Sequence, residues 1–277
     1  MNKQELEQRR KYRVVMANTV INDMSYKLSL QQLKVLRYMI SQIQPTDSPN
    51  KLYTMSVKEY CDVCGIDGDS GKNSRDIKSS FDAIDRQVQW IRIPNTRKNV
   101  RVRWFNRLIV SEGSGIIEYS WHEDIIEFLF DLVHSGKPYT NYMQEENSVM
   151  ESRYAFRLFE LMKEYHNLKR KVVVFPIDLL KQQLDAEKYE RYPDFRRFVL
   201  DVAVKEINRY ADFNIAYEGQ KIKSRAITHI SFSIEDLGES ELVFGFAAGE
   251  REKKLNKTLP QPAGADFSRF FQEDDTE

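Results

Sequence analysis

Cysteine and histidine are scarce in this chain, and neither sign of charge prevails. Two cysteines and four histidines are spread over 277 residues. Two thiols cannot form a disulfide framework, which agrees with a reducing, cytoplasmic setting. Structural zinc wants four ligands. Cys61 and Cys64 form a C-x-x-C without a second pair, and His122, His134, His166 and His229 lack metal-ligand spacing, so no metal is expected. Both cysteines fall on the apolar stripe Val57, Tyr60, Cys61, Cys64 and are read as core. The 42 basic residues are matched by 42 acidic ones, unlike the basic total usual for nucleic-acid-binding domains. No apolar run approaches the length of a membrane span, and the opening MNKQELEQRRKYR is too charged for a signal peptide.

Catalytic signatures are missing as well. The turn Gly65–Asn73 resembles a phosphate loop, but Ile66 stands where the first glycine is needed and Asn73 where serine or threonine is needed. As a calcium loop from Asp67 it has Lys78 in place of the twelfth-position glutamate. A nicking enzyme would need a tyrosine beside a metal held by paired histidines, and no two histidines lie close in sequence. No enzyme and no cofactor are therefore expected.

The even charge total hides an uneven distribution. From Arg92 to Ser111 the chain carries Arg92, Arg97, Lys98, Arg101, Arg103 and Arg107 and no acid, whereas Gln272–Glu277 is almost entirely acidic. The length allows two domains, each with its own core. Ser29 looks like the cap of a helix carrying Leu30, Leu33, Leu36 and Ile40, ended by Pro45–Pro49. A strand at Leu52–Met55, a helix capped by Ser56, the glycine-containing turn and a helix Asn73–Gln87 make a helix-turn-helix candidate. Strands over 88–93 and 100–110 flank a basic loop, a strand over 116–120 closes the sheet, and an amphipathic helix is expected over 122–132. The order then repeats: helix 152–167, strand 171–175, helix 177–184, helix 194–210 and hairpin 215–234.

The most informative segment is Lys188–Arg225, KYERYPDFRRFVLDVAVKEINRYADFNIAYEGQKIKSR. Phe195, Phe198, Val199, Val202, Ala203 and Ile207 recur at three- and four-residue spacing and are expected to bury one stripe. Arg191, Tyr192, Arg196, Arg197 and Lys205 then lie on a helix suited to a major groove, with Lys221, Lys223 and Arg225 on a wing beside the backbone. Arg197 and Asp201, four apart, can equally pair in solvent. In the first half the corresponding candidates are Lys72, Asn73, Arg75 and Lys78, their basic face diluted by Asp76, Asp82 and Asp85. Arg97, Lys98, Arg101 and Arg103 form that half's wing.

The run Tyr192-Pro193-Asp194-Phe195-Arg196-Arg197, the later Glu206-Ile207-Asn208, RYAFRLFELMKEY upstream and ITHISFSI downstream resemble the initiator replication proteins of iteron-containing plasmids. The N-terminal VVMANTVINDMSYKLSLQQLKVLRYMISQI shares the resemblance. It implies an α+β fold of two tandem winged-helix domains, expected at 1–135 (DNA binding and dimerisation) and 136–245 (principal sequence recognition). A tail over 246–277 is expected to be disordered. The resemblance also implies binding to direct repeats of double-stranded origin DNA, opening of the neighbouring duplex and recruitment of a host initiator and replicative helicase. A monomer–dimer equilibrium in which the dimer represses its own gene belongs to the same implication. A winged-helix transcriptional repressor with a single operator is the alternative. The tail segment DFSRFFQEDDTE interleaves aromatics with acid and is a candidate docking peptide.

Overall fold

The computed structural model describes residues 3–24, 27–87, 89–92, 97–111, 113–223 and 225–237. The expected disordered tail and the tips of the first wing, 93–96, lie outside the described residues. The first half comprises α1 (Lys3–Arg10), β1 (Arg13–Ala17), α2 (Asn18–Asn22), α3 (Leu30–Ser41), β2 (Tyr53–Ser56), α4 (Val57–Cys64) and α5 (Gly71–Arg86). Then come β3 (Gln89–Arg92), β4 (Asn99–Val102), β5 (Phe105–Val110), β6 (Ile116–Trp121), α6 (Glu123–Ile126), α7 (Leu132–Ser135), β7 (Tyr139–Met143) and α8 (Gln144–Ser148). The second half runs α9 (Arg153–Asn167), β8 (Val172–Pro176), α10 (Ile177–Gln183), α11 (Tyr192–Phe195), a π-helical turn (Arg196–Leu200), α12 (Asp201–Tyr210), β9 (Phe213–Gln220) and β10 (His229–Asp236).

Helix starts follow the side chains that can satisfy free amides. The Ser29 hydroxyl accepts from the Gln32 amide while the Gln32 side chain accepts from the Ser29 amide, a reciprocal cap. Ser56 and Ser70 cap α4 and α5 through their hydroxyls. Gly65, at φ 65°, ends α4 in the left-handed region where a side chain is strained, and so releases the chain into the turn before α5.

The sheets differ from the simple pattern in two places. The strand expected over 100–110 is broken at Arg103–Trp104: β4 pairs with β3, whereas β5 pairs with β6, which also holds β2. Trp104 is buried, and its carbonyl accepts the His122 amide at 3.0 Å, so the chain passes through the core between the two sheets. The helix expected over 122–132 is two short pieces instead, because Asp131 takes a positive φ of 50° that no α-helix accommodates. The strand β7 pairs antiparallel with β1, from Arg13 opposite Met143 to Ala17 opposite Tyr139. A division at 135/136 thus runs between α7 and a strand held by the first half.

α9 joins the halves. Ala155, Phe156, Leu158, Phe159, Leu161 and Met162 are all buried, and cutting any of the larger ones to alanine costs about 2–5 kcal/mol. Its polar positions are buried too. Glu160 accepts from Arg37 Nε of α3 at 2.5 Å, from Arg157 at 2.6 Å and from the Tyr142 hydroxyl of β7 at 2.7 Å. Arg157 also donates to the Ile21 carbonyl at 2.7 Å. One turn on, Lys163 bridges Glu146 of α8 and Asp212 of the second half, each at 2.6 Å. One helix therefore carries ion pairs into both halves.

Candidate nucleic-acid interface

In the second half a helix-turn-helix is formed by α10 and the α11–α12 helix, followed by the β9–β10 hairpin. Pro193, without an amide proton and with φ preset, sits in the first turn of α11, where that amide has no helical partner. The π turn follows at once: the Asp201 amide donates to the Arg196 carbonyl, five residues back. That wider turn changes which side chains face the core. Phe195, Val199, Ala203 and Ile207, four apart, are fully buried, but Phe198 and Val202, expected on the buried stripe, are 44% and 38% exposed. The three-residue steps rotate them onto the outer face with Arg197, Asp201 and Lys205, which are also exposed.

Three contacts fix the helix against its wing. The Tyr192 hydroxyl lies so close to β9 that a Cβ at Gly219 would sit 2.8 Å from it and 3.0 Å from Ile227 atoms. A side chain at 219 would have to push the Tyr192 hydroxyl or the Ile227 methyls aside. Asp201 accepts a hydrogen bond from the Tyr217 hydroxyl of β9 and lies 3.8 Å from Arg196 Nε. At the far end Asn208 donates to the Ile215 carbonyl at 2.8 Å and accepts the Ile215 amide at 2.7 Å, clamping the first residues of β9. Glu206 faces the other way and accepts the Glu151 and Ser152 amides at 2.9 and 3.1 Å, holding the start of α9. The Glu206-Ile207-Asn208 run is thus an anchor: one residue to α9, one to the core and one to the wing.

Arg191, Arg196, Arg197 and Lys205 are exposed along this helix, and Tyr192 is half-buried as the spacer against Gly219. Burial raises the Tyr192 hydroxyl above its ordinary range, so it stays neutral beside the arginines. Lys221, Lys223 and Arg225 are exposed on the connection between β9 and β10. The alternative pairing of Arg197 with Asp201 is replaced by the Asp201 contacts to Tyr217 and Arg196. Arg197 lies instead over the Phe198 ring, 5.2 Å from its centroid.

The first half repeats the plan with α4, the turn and α5, then the β3–β4 hairpin. Lys72 and Arg75 are exposed in the first turns of α5, and Lys78 is half-buried. Asn73 is occupied: its side-chain amide donates to the Asp67 carbonyl at 2.9 Å and closes the turn. Asp76, Asp82 and Asp85 are exposed on the same helix. On the hairpin Arg97, Lys98, Arg101 and Arg103 are exposed, and Arg101 stands directly opposite Trp90, an indole 51% exposed. The structure brings each basic set to one helix and one hairpin of its own half. Sequence reading missed Gly219, Tyr217 and Trp90. Only Gly219 carried a signal, a glycine within a strand pattern.

The remaining candidate chemistry is dispersed. His122 caps α6, His134 is exposed beside Asp131, His166 stacks on Phe213 with centroids 4.7 Å apart, and His229 contacts Thr228. Cys64 is buried, which pushes its thiol up to about 12.

Two helix-turn-helix units, each followed by a β-hairpin, define a tandem winged-helix protein of α+β class with exposed cations on the second helix and on the hairpin of each unit. The particular kind follows from its relatives. The first winged helix (WH1) of the initiator replication proteins matches residues 13–163, and the second (WH2) of the initiator Rep proteins matches 176–234. The chain belongs to this family of replication initiators. It is similar to the PI protein of Escherichia coli, 21% identical over 284 residues and 91% of each chain. A crystal structure of the Pi initiator protein in complex with iteron DNA has the same fold, with a TM-score of 0.68 at 15% identity, over 83% of this chain and 99% of that one.

Proposed function

We propose that this chain initiates plasmid replication by binding directly repeated sites in origin DNA through both winged helices, and that it has no catalytic activity of its own. The observation that carries the reading is the union of α11–α12 with its wing. Contacts at Gly219, Asp201 and Asn208 hold Arg191, Arg196, Arg197 and Lys205 in fixed relation to Lys221, Lys223 and Arg225. A rigid helix with cations at its N-terminal end suits base edges in a major groove, and a hairpin with cations at its tip suits the flanking phosphates. The first half adds Lys72, Arg75, Arg97, Lys98, Arg101 and Arg103, with Asn73 holding the turn and Lys78 beside it. Two such units placed in successive major grooves cover about two turns, on the order of 20 bp.

The division of labour follows the charge. The second winged helix supplies most of the sequence recognition; the first, with its acidic residues on α5, supplies fewer base contacts together with phosphate contacts and the dimer surface. Opening of the adjacent duplex, recruitment of a host initiator and helicase, autorepression by the dimer, and action in the bacterial cytoplasm complete the proposal.

Selection of random duplex DNA at about 150 mM salt, where non-specific phosphate binding is weak, tests the central claim. Recovery of a site of about two turns with two constant blocks is expected. One short block would reduce the first winged helix to a clamp, and no enrichment would remove the reading. Tandem copies of the site beside the gene support initiation, and a single inverted repeat would point to repression.

A further inference from the structure

The outer face of α11–α12 is not uniformly polar. Phe198 and Val202 lie between Arg197 and Lys205 with 44% and 38% of their surface in water, although the same helix buries Phe195, Val199, Ala203 and Ile207 completely. Exposed apolar groups on a helix otherwise designed for cations are a cost to the free protein. Neither is loose. Phe198 stacks on Tyr189 with centroids 5.7 Å apart and planes 20° from parallel, and a β-branched valine in a helix has one strongly preferred rotamer.

Building on the DNA-binding reading, we propose that Phe198 and Val202 are specificity-determining residues that contact the C5-methyl groups of thymine in the major groove. Thymine presents the one apolar group on a major-groove edge, and phenylalanine and small aliphatic groups are suited to it. The flanking cations give the patch its orientation: Arg196, Arg197 and Lys205 are attracted to phosphates and guanine edges and carry the apolar pair down to the base pairs. A protein partner would meet those desolvated charges instead, which disfavours that occupant. Four helical residues rise about 6 Å, close to two base steps of about 3.4 Å each. The recognised site therefore contains two thymines within about two base-pair steps of each other, on either strand.

The test replaces each thymine of the selected duplex, one at a time, by deoxyuridine, which lacks only the methyl group. Affinity is read by fluorescence anisotropy with the full chain. Two positions are expected to weaken binding by about fourfold each, the factor for withdrawing one CH₂-sized group from contact. Phe198→Ala should abolish the sensitivity at one of them and Val202→Ala at the other. Circular dichroism checks that both variants fold. Tight binding that is indifferent to every deoxyuridine, or sensitivity unchanged in both variants, overturns the inference while leaving the DNA-binding reading intact. A change in sedimentation of the DNA-free variants with deoxyuridine sensitivity unchanged assigns the pair to protein contact and also overturns it. If the full chain selects no sequence at all, the DNA-binding reading fails first and this inference falls with it.

Discussion

Glu160 at the centre of α9 offers the most demanding test of how α9 is held to the core of the first winged helix. Its carboxylate is fully buried and receives Arg37 Nε at 2.5 Å, Arg37 Nη2 at 3.2 Å, Arg157 Nη1 at 2.6 Å and the Tyr142 hydroxyl at 2.7 Å. Both oxygens face N–H donors from guanidinium groups. Glu160→Gln keeps the shape but removes the charge, and either orientation of its amide sets an NH₂ against an arginine donor. Breaking a buried pair from one side costs about 3–5 kcal/mol, because the other charge remains in the core. That is a large part of a total stability of about 5–15 kcal/mol. At about 2–4 °C per kcal/mol for a chain of this size, the thermal midpoint should fall by about 6–20 °C, measured by circular dichroism. Acid adds a second signature. Burial by itself raises the carboxyl, but Arg37 and Arg157 overrule it and hold Glu160 below the ordinary range. The unfolded chain then takes up this proton first, so the stabilisation is complete above about pH 4.3 and is lost as pH falls through the folded value. The difference between Glu160→Gln and the unaltered chain should therefore shrink in acid. A variant whose midpoint moves by less than about 2 °C at neutral pH, well below the shift expected for a buried pair, refutes the reasoning.

The interface and the remaining titratable groups give further expectations. Arg197→Ala should weaken binding to the selected site by about 1–3 kcal/mol and leave non-specific duplex almost unchanged; equal loss on all sequences makes Arg197 a phosphate contact. The logarithm of affinity should fall with the logarithm of salt at about 0.9 per neutralised phosphate, and Arg101→Ala should reduce that slope by about this amount. An unaltered slope removes Arg101 from the interface. Burial lowers the His166 pKa, so the unfolded chain binds that proton at higher pH and stability should decline as pH drops below about 6.5. His166→Gln should flatten the decline in urea midpoints measured between about pH 7 and pH 5.5. Cys64, with its thiol raised to about 12 by burial, should resist a thiol reagent until the chain unfolds. Rapid native labelling of Cys64, mapped by mass spectrometry, would contradict its place in the core.

Local chemistry made most elements and the basic candidates legible in the sequence. Ser29 and Ser56 announce helix starts because each hydroxyl satisfies a backbone amide three residues on, an interaction that needs no distant partner. The repeated order of helices and hairpins, and the arginines beside them, are likewise readable from spacing. Tertiary structure decided the rest. Whether Phe198 or Val199 turns inward depends on the π turn at Arg196–Leu200 and its packing against α9, and periodicity alone admits both. Whether 100–110 is one strand or two depends on a core that takes in Trp104. The anchoring roles of Gly219, Asp201 and Asn208, and the ion pairs of Glu160 and Lys163, join residues far apart in the chain. Such contacts form only when packing removes water from around them, so their geometry belongs to the folded molecule.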